Sequence, residues 1–544
     1  MGRPSIKYQD VSPTAKLYGT PTASEKESYV DLNDLNLEFL SVPYYTTLER
    51  NDWALDGGHA LFPNSPSTVH WGYVSEQISD ENGEFETNPY INITFSALQS
   101  SVALTFDFDL NRSEWCDVKI TYLRDGVVKH EQTYTPNEAT YCCFSTVRLY
   151  NEVQIEFLKT SKPYRRARIA VIYYGIIRNF GEEELSECTA LEEINPISSE
   201  LSINTMTFRV KNTSNIDFLF QKMQPVHLKY DEMAIGTYFI EKATRTGTNN
   251  WTIDCKDSVG VLDYYSYKGA MLTNKNVGAL IDEVLAQINV PYEYDSAFNG
   301  MTVSGYLPRA SLRETLLQIA FVCNAIVDDA RGSLIRFMQA PSNEPIQFDN
   351  ETVHMDGNTT VEQRVTAVEV TAYSYSLSAD SHELFNASLP AGTHEIKLDR
   401  PHGNYSITGG TITDSSVSYV KFTVASTQTV TITGKEYVES QIVYTKKNPD
   451  METFDLDNVK SVSGCYLVNT SNAQAILERV YNYLVSTEKL SAKMILGSAK
   501  VGDIVEVPTD YGERKIGRIV KNTLSFGSKL RGAVEIHVDS TNNG

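Results

Sequence analysis

Residues 236–263 read GTYFIEKATRTGTNNWTIDCKDSVGVLD, and this stretch indicates the fold class of the chain. Apolar residues alternate with polar ones at Trp251, Ile253 and Cys255. Alternation with a period of two residues is typical of strands that cover a core with one face only. We therefore predict a small antiparallel sheet or barrel over residues 201–265.

The same alternation recurs upstream, from residue 61 to residue 178. It is clear at Ile91, Ile93 and Phe95, and again in three further segments separated by turn signals. Strands with one apolar face need a second layer to cover them, so this region predicts a jelly-roll sandwich. Residues 1–60 are punctuated by Pro, Thr and Ser, and we predict an N-terminal arm with little regular structure there.

Downstream, the period of the pattern changes to that of a helix. Apolar residues from Val277 to Ile288 follow helical spacing, which predicts a helix over this segment. A second helix is predicted to begin at Ser311, because Glu314 three residues later can complete a capping box. The sequence therefore predicts a small α/β unit over residues 269–345.

The rest of the chain is again rich in strand patterns. Residues 179–200 carry seven acidic residues and are predicted to be a solvated linker into a new domain. Residues 381–437 are rich in Ser, Thr and Gly and are predicted to be a β insertion. A third helix is predicted over residues 472–486, followed by the alternating strands that end the chain.

Composition excludes several classes of protein. The chain has 544 residues, enough for three or four domains, and its formal charge is −22. Such a charge makes wrapping of a phosphate backbone improbable. No apolar run is long enough for a membrane span and no signal peptide is visible, so no membrane insertion is predicted. Seven Cys without ligand-like spacing indicate reduced thiols in a chain made in a cytoplasm.

The sequence carries none of the common catalytic motifs. The sequence has no glycine-rich phosphate loop, no G-x-S-x-G elbow and no zinc-binding helix. We therefore predict no catalytic residue, no cofactor and no metal, and hence no enzyme. A pair of acids suited to glycoside hydrolysis cannot be selected from 69 carboxylates, so a hydrolase remains an alternative.

Aromatic residues near the strand ends of the first β region are candidates for ligand contact. Exposed aromatic rings bind the apolar faces of sugars, and nearby polar groups give specificity. The alternative is that Trp71 and Trp115 fill the core of the sandwich. The candidate glycan contacts are Trp71, Tyr73, Tyr90 and Trp115.

The order of these parts resembles a known family. Residues 47–75, with TLERNDWALDGGHALFPN and WGYVS, together with the strands up to residue 174, resemble the discoidin-like, galactose-binding-type jelly-roll module of some Firmicute phage and prophage tail proteins. LSINTMTFRV at 201–210, residues 236–263, and VGDIVEVPTDYGERKIGRIVKN at 501–522 resemble a phage tail-tip or baseplate hub.

The resemblance implies a homotrimer at the tip of a phage tail in which each copy supplies two tube-like β-barrels. The first barrel would occupy residues 179–268, and the second residues 346–380 and 438–544. Six barrels would match the sixfold tail tube. The implied partners are the tail tube, a distal tail protein, the tape-measure protein and, for the jelly-roll module, a host surface glycan.

The resemblance also implies that the protein resides in the virion tail and that DNA is only a passing cargo. We hypothesise that acidic groups line a channel for that DNA, because like charges keep the polymer off the wall. Two alternatives remain. One is a carbohydrate-binding adhesin or lectin outside a tail, and the other is a cell-wall glycan hydrolase.

Overall fold

The fold is mainly β with a small α/β unit, which confirms the predicted fold class. It is seen in a computed structural model. The residues it describes are 3–11, 15–24, 45–46, 49–50, 52, 60–61, 72–109, 112–211, 218, 220–231, 233–288, 290–354, 358–452, 456–526 and 529–538. Among these residues no helix is both long and apolar enough to cross a membrane.

The first part of the chain forms a sheet of very long strands. Strand β6 lies at its centre, between β9 on one side and β2 and β11 on the other, and β7 and β8 continue the sheet beyond β9. Strands β5 and β10 form a separate ladder, so the jelly-roll topology stays a prediction. The elements are β1 (Pro4–Val11), α1 (Ala15–Tyr18), β2 (Gly19–Ala23), β3 (Tyr45–Thr46), β4 (Ala60–Leu61), β5 (Tyr73–Val74), β6 (Tyr90–Asp107), β7 (Cys116–Arg124), β8 (Val127–Tyr134), β9 (Thr140–Thr160), β10 (Arg168–Ile169) and β11 (Val171–Tyr173).

The middle of the chain begins with six strands that belong to the largest sheet of the molecule, followed by the start of the α/β unit. The six strands are β12 (Gly175–Phe180), β13 (Leu185–Glu193), β14 (Thr205–Lys211), β15 (Pro225–Tyr230), β16 (Met233–Arg245) and β17 (Asn250–Lys256). The α/β unit begins with α2 (Ser258–Val261), β18 (Ser266–Tyr267), β19 (Ala270–Asn276), α3 (Val277–Leu285), β20 (Tyr292–Tyr294), β21 (Thr302–Leu307), β22 (Ala310–Ser311), α4 (Leu312–Cys323), β23 (Ala325–Asp328) and β24 (Ile335–Gln339), with short 3-10 helices at Leu262–Tyr264 and Ser296–Gly300.

The C-terminal part returns to the large sheet after a long excursion. The elements before and within the excursion are β25 (Ile346–Gln347), β26 (Asn358–Val361), β27 (Ala367–Leu377), β28 (His382–Leu389), β29 (Gly392–Lys397), β30 (His402–Thr408), β31 (Thr411–Ser416), β32 (Tyr419–Val424), β33 (Gln428–Lys447), β34 (Val459–Val462) and α5 (Ala473–Leu484). The final strands are β35 (Glu488–Ile495), β36 (Ile504–Pro508), β37 (Arg514–Phe526) and β38 (Leu530–Val538).

The large sheet has thirteen strands, of which eleven follow the order β12-β1-β15-β16-β17-β14-β13-β37-β38-β35-β26. Strand β36 pairs with β37, and β25 pairs with β36. One hydrophobic core lies against this sheet and draws residues from both of its halves, from Ile6 and Phe208 to Leu490 and Ile536. The two halves of the sheet are therefore packed as one body.

The predicted N-terminal arm is wrong for two segments. Strand β1 lies between β12 and β15, with Ile6 and Tyr8 fully buried, and the Tyr8 hydroxyl donates to Gln224 Oε1 at 2.8 Å. Strand β2 pairs with β6 of the first sheet. The alternation in β1 is only a few residues long, and the Pro, Thr and Ser residues around it are typical of loops, so the sequence pattern did not predict a strand.

The predicted acidic linker is also wrong. Residues 185–193 form β13, which pairs with β14 on one side and with β37 on the other. Its acids do not share one environment, because Glu187 faces solvent whereas Glu192 is fully buried. A strand that joins the two halves of the sheet thus occupies the place of the linker.

The predicted second barrel includes elements that belong elsewhere. Strand β27 and helix α5 pack with helices α3 and α4 around a second core, formed by residues such as Val370, Ile319 and Val480. This core belongs to the α/β unit, which therefore receives two separate segments of the chain. Barrel and α/β strands are indistinguishable in the sequence, because both carry the same alternation.

The predicted β insertion is a small body with its own core, centred on Phe422 and Ile432. Strand β33 is twenty residues long and links it to the α/β unit. Its first half pairs with β28 and β30 of the insertion, and its second half pairs with β27. The helix predicted at Ser311 is confirmed together with its capping box.

Candidate assembly interface

The large sheet contains the same five-stranded unit twice. The first module is β13-β14-β17-β16-β15, and the second module is β26-β35-β38-β37-β36, with each series given in spatial order. In both modules every neighbouring pair is antiparallel. Numbered along the chain, the strands of both modules lie in the order 1-2-5-4-3, which identifies an internal structural repeat.

The register of the strands repeats as well. Strands β14 and β17 form seven pairs, beginning with Thr205 opposite Lys256. Strands β35 and β38 also form seven pairs, beginning at the equivalent end with Lys489 opposite His537. Since a slip of one residue would move every side chain to the other face, a matching register gives the modules matching faces.

A β-bulge marks the same place in both modules. Strands β16 and β37 each have thirteen residues. The bulge places Glu241 as the extra residue in β16 and Val520 as the extra residue in β37. Bulges raise the local twist of a strand and re-aim its side chains. The two modules therefore bend at equivalent points.

Strands β13 and β37 join the two modules edge to edge. The first strand of the first module pairs with the second half of the fourth strand of the second module, from Thr189 opposite Ser525 to Glu193 opposite Lys521. The last pair also forms an ion pair, with Lys521 Nζ 3.7 Å from Glu193 Oε2. The backbone N–H of Ile194 donates to the Val520 carbonyl at 2.9 Å and closes the ladder.

A buried charge lies on the core side of this junction. The carboxylate of Glu192 accepts hydrogen bonds from Arg331 Nε at 2.6 Å and from Asn522 Nδ2 at 2.9 Å. Burial raises the pKa of Glu192, and the Arg331 guanidinium and the Asn522 amide oppose that shift. One charged group thus connects β13, β37 and the β23–β24 hairpin of the α/β unit.

A pair of buried acids lies in the same region. Asp257 Oδ1 accepts from the Gly260 N–H at 2.7 Å and caps helix α2, while Asp329 Oδ2 accepts from the Ser258 N–H at 2.8 Å. The Asn204 amide N–H and side chain bind one acid each. Burial, followed by the charge of Asp329, raises the pKa of Asp257 well above its ordinary value. These acids therefore tie the first module to the α/β unit.

In the described part of the chain, two strand edges of the modules are open at the positions that correspond to the β13–β37 junction. Strand β26 pairs with β35 alone, so its other edge has no partner strand among the described residues. Strand β15 pairs with β16 only as far as Phe239. Beyond the bulge, Lys242–Arg245 of β16 pair with β17 on one side, and no described strand pairs with them on the other side. Open edges are positions where another strand can be added.

One face of the large sheet is polar across both modules. It is formed by the residues that the ladders place opposite one another on the side away from the core. Its basic residues are Arg209, Lys211, Lys242, Lys256, Lys489, Lys493, Arg518, Lys521 and Arg531. Its acidic residues are Glu187, Glu193, Asp254 and Glu535. With nine basic and four acidic side chains, this face does not carry the excess of acid that we hypothesised for a channel wall.

The predicted glycan contacts do not form one platform. Tyr73 is fully buried, and its ring stacks on Phe157 with centroids 5.1 Å apart. Tyr90 is 39% exposed and begins β6, whereas Trp115 is half-buried and directly precedes β7, and these two strands lie on opposite sides of β9. Trp71 lies outside the described residues. Burial of Tyr73 removes it from the set, and a glycan-binding role for this region stays a prediction.

The residues of the interface were not predicted from the sequence. The two modules differ in sequence, but they share the positions of their inward apolar residues, Met206, Phe208 and Val210 in β14 and Leu490, Ala492 and Met494 in β35. The internal repeat could have been found by aligning the patterns of apolar and polar positions rather than the residue types. The excursion between β26 and β35 separates the second module into two pieces and obscures that signal.

Comparisons with known proteins identify no family. No protein-family model matches the chain, and no curated protein matches it in sequence. Among solved structures, the chain is similar to the tail protein from Neisseria meningitidis MC58, with 10% identity, a TM-score of 0.41, and coverage of 67% of this chain and 94% of that chain. The prophage tail protein gp18 from Listeria monocytogenes EGD-e has 10% identity, a TM-score of 0.38, and coverage of 67% and 92%. The 43 kDa tail protein of prophage MuSo2 from Shewanella oneidensis has 8% identity, a TM-score of 0.41, and coverage of 66% and 95%. Similarities of this size do not establish a shared fold.

Proposed function

We propose that the chain is a structural hub of a phage tail tip or baseplate and that it functions as a homotrimer without enzymatic activity. The observation that carries the proposal is the internal repeat, in which two modules of one topology and one register are joined edge to edge. A chain with two such modules needs only three copies to present six equivalent positions to a sixfold tube.

The sequence supports the same proposal. The stretches at 201–210, 236–263 and 501–522 that resemble a tail hub fall within the two modules or directly beside them. In this role the hub would lie in the virion tail, contact the tail tube, a distal tail protein and the tape-measure protein, and let DNA pass. In a ring of copies the polar face of the large sheet would line the passage, because its other face is occupied by the core.

The mass of the purified protein in solution tests the proposal. We expect particles of three times 60.9 kDa in mass photometry, and rings with a central opening in negatively stained electron micrographs. A chain that stays monomeric at micromolar concentration would contradict the proposal. A monomer that binds host-wall polysaccharide would instead favour the adhesin.

A further inference from the structure

We propose that neighbouring copies join by adding β26 of one copy to the open edge of β16 of the next copy, in the register of the β13–β37 ladder. The inference rests on the proposed trimer and names the surface that builds it. Strand β26 is the first strand of the second module, as β13 is of the first. Strand β16 is the fourth strand of the first module, as β37 is of the second. The ladder inside one copy is thus a template for the contact between copies.

The register of the repeat fixes the partners. Thr189 and Asn358 are equivalent, because they lie opposite equivalent residues of β14 and β35. Lys521 and Lys242 are equivalent, because each follows the bulge of its strand. By the same count, Thr360 is equivalent to Leu191, and Thr244 is equivalent to Thr523. Because Leu191 lies opposite Thr523 in the β13–β37 ladder, Thr360 of one copy is expected to lie opposite Thr244 of the next copy.

The charges at the end of the ladder repeat too. Within one copy Glu193 faces Lys521, and the equivalent residues are Glu362 and Lys242. Glu362 follows β26 directly, has a half-exposed side chain, and forms an ion pair with Lys489 of its own copy at 2.7 Å. Lys242 is exposed on the polar face. An acid and a base therefore stand at the two positions where the template carries an ion pair.

Exposed apolar surface marks the same edge. Val361 is 71% exposed, and it ends a short strand whose outer side no described strand covers. In the proposed register Val361 lies opposite Ala243 of the next copy, where the template has the polar pair Glu192 and Asn522. Pairing would remove an exposed valine from water, which favours association.

The contact is head-to-tail. Each step, within a copy or between copies, adds the first strand of one module to the fourth strand of the next module. A heterologous contact of this kind forms a ring when its rotation closes and a filament when it does not. Because the step within the chain and the step between copies are equivalent, three copies would form a ring of six modules.

Engineered disulfides test the contact in the full-length protein. In the double variant Thr360→Cys and Thr244→Cys, we expect mild oxidation to link copies covalently, giving dimers and trimers on a non-reducing gel. The equivalent pair within one copy, Leu191→Cys and Thr523→Cys, serves as the positive control and should close inside the monomer. The matched negative control combines Thr360→Cys with Thr252→Cys. Thr252 lies one strand further away, and about 5 Å of added distance exceeds the reach of a disulfide.

The outcomes separate this inference from the proposed function. Trimers by mass that form no covalent link in the Thr360→Cys and Thr244→Cys variant, while the control within the copy closes, would overturn the inference and leave the hub intact. Monomers by mass would overturn the proposed function.

Charge reversal gives a second measurement that does not depend on cysteine chemistry. Lys242→Glu or Glu362→Lys alone should raise the dissociation constant of the trimer by roughly three- to tenfold, and the two together should restore it. Unchanged dissociation in all three variants would contradict the contact.

Discussion

At the scale of single residues, Glu192 shows how the two modules are held together. It has no exposure to water, and its charge is balanced by Arg331 and by the amide of Asn522. Breaking a buried pair by removing one partner leaves an uncompensated charge, and this costs far more than the net value of the pair. The junction between the modules is therefore sensitive to single substitutions.

We expect Arg331→Leu to lower the free energy of unfolding by about 3–5 kcal/mol, because it strands the Glu192 carboxylate in the core. The double variant Glu192→Leu and Arg331→Leu should lose less unfolding free energy than Arg331→Leu alone, because no unpaired charge stays in the core. Urea unfolding followed by circular dichroism measures both. The control is Arg209→Leu, which breaks the half-exposed pair with Glu187 and should cost below about 1 kcal/mol. Equal losses for Arg331→Leu and Arg209→Leu would contradict this account.

The acid pair gives a prediction for pH. Burial and Asp329 raise the pKa of Asp257 in the folded state, whereas the unfolded value is about 3.9. The folded state then binds more protons than the unfolded state above pH 4, so this group favours folding at low pH and loses that contribution as pH rises. Asp257→Asn removes the titration. We expect the variant to lose less unfolding free energy than the wild type between pH 4.5 and 7, with a difference of at most about 1.4 kcal/mol per pH unit. Parallel curves would show that Asp257 does not titrate in this range.

Residue types alone did not reveal these groups. The adjacent acids Asp328 and Asp329 have a turn-like sequence, yet both are buried, and Asp329 accepts from the Asn204 side chain beside the first module. Glu192 lies in a run of acids and reads as solvated. Burial of a charge depends on partners that are distant in the chain, such as Asn522, and no local pattern encodes them.

At the scale of elements, helix α4 depends on its first residue. Ser311 Oγ accepts from the Glu314 N–H at 3.1 Å, and Glu314 Oε2 accepts from the Ser311 N–H at 3.1 Å. We expect Ser311→Ala to cost about 0.5–2 kcal/mol of unfolding free energy, because the Glu314 N–H loses its partner at the start of the helix. Thermal unfolding measures it. Ser333→Ala, in an exposed bend of the same unit, should stay within about 0.5 kcal/mol. A loss of the same size in both would contradict a capping role.

The insertion is separable by its own geometry. Leu377 pairs with Tyr437, and the Ser378 N–H donates to the Glu436 carbonyl at 2.8 Å, so the two ends of the insertion meet at a ladder. Replacing residues 379–435 by Asn-Gly should leave a hairpin of β27 and β33. We expect the shortened chain to fold and to form an assembly with the same number of copies as the full-length protein, because the insertion has its own core. Circular dichroism and mass photometry check this, and an unfolded product would show that the α/β unit depends on the insertion.

Elements were predicted more accurately than their grouping. The helices at 277–285, 312–323 and 473–484 lie where their period predicted them, since helical spacing is a local signal. The grouping of strands into sheets is set by pairings between distant segments. The sequence therefore could not separate β27 from the second module, or attach β1 to the first.

At the scale of the whole molecule, β1 links the start of the chain to strands more than 160 residues away. Tyr8 is fully buried there and stacks with Phe180 at 6.1 Å between ring centroids. We expect Tyr8→Ala to cost roughly 3–5 kcal/mol of unfolding free energy, as for other buried aromatic residues. The control is Tyr18→Ala, whose ring is 42% exposed and which should cost much less. Urea unfolding of both variants measures the difference, and a mild effect at Tyr8 would mean that β1 docks only weakly.

The division of the second module by the long excursion has a consequence for the order of events on the ribosome. Strand β26 is translated well over a hundred residues before β35, the strand on which it lies. A nascent chain therefore exposes no ordered β26 until almost the whole polypeptide has emerged. If copies join through the edge of β26, an incomplete nascent chain cannot bind a neighbouring copy, and association begins only after translation is complete.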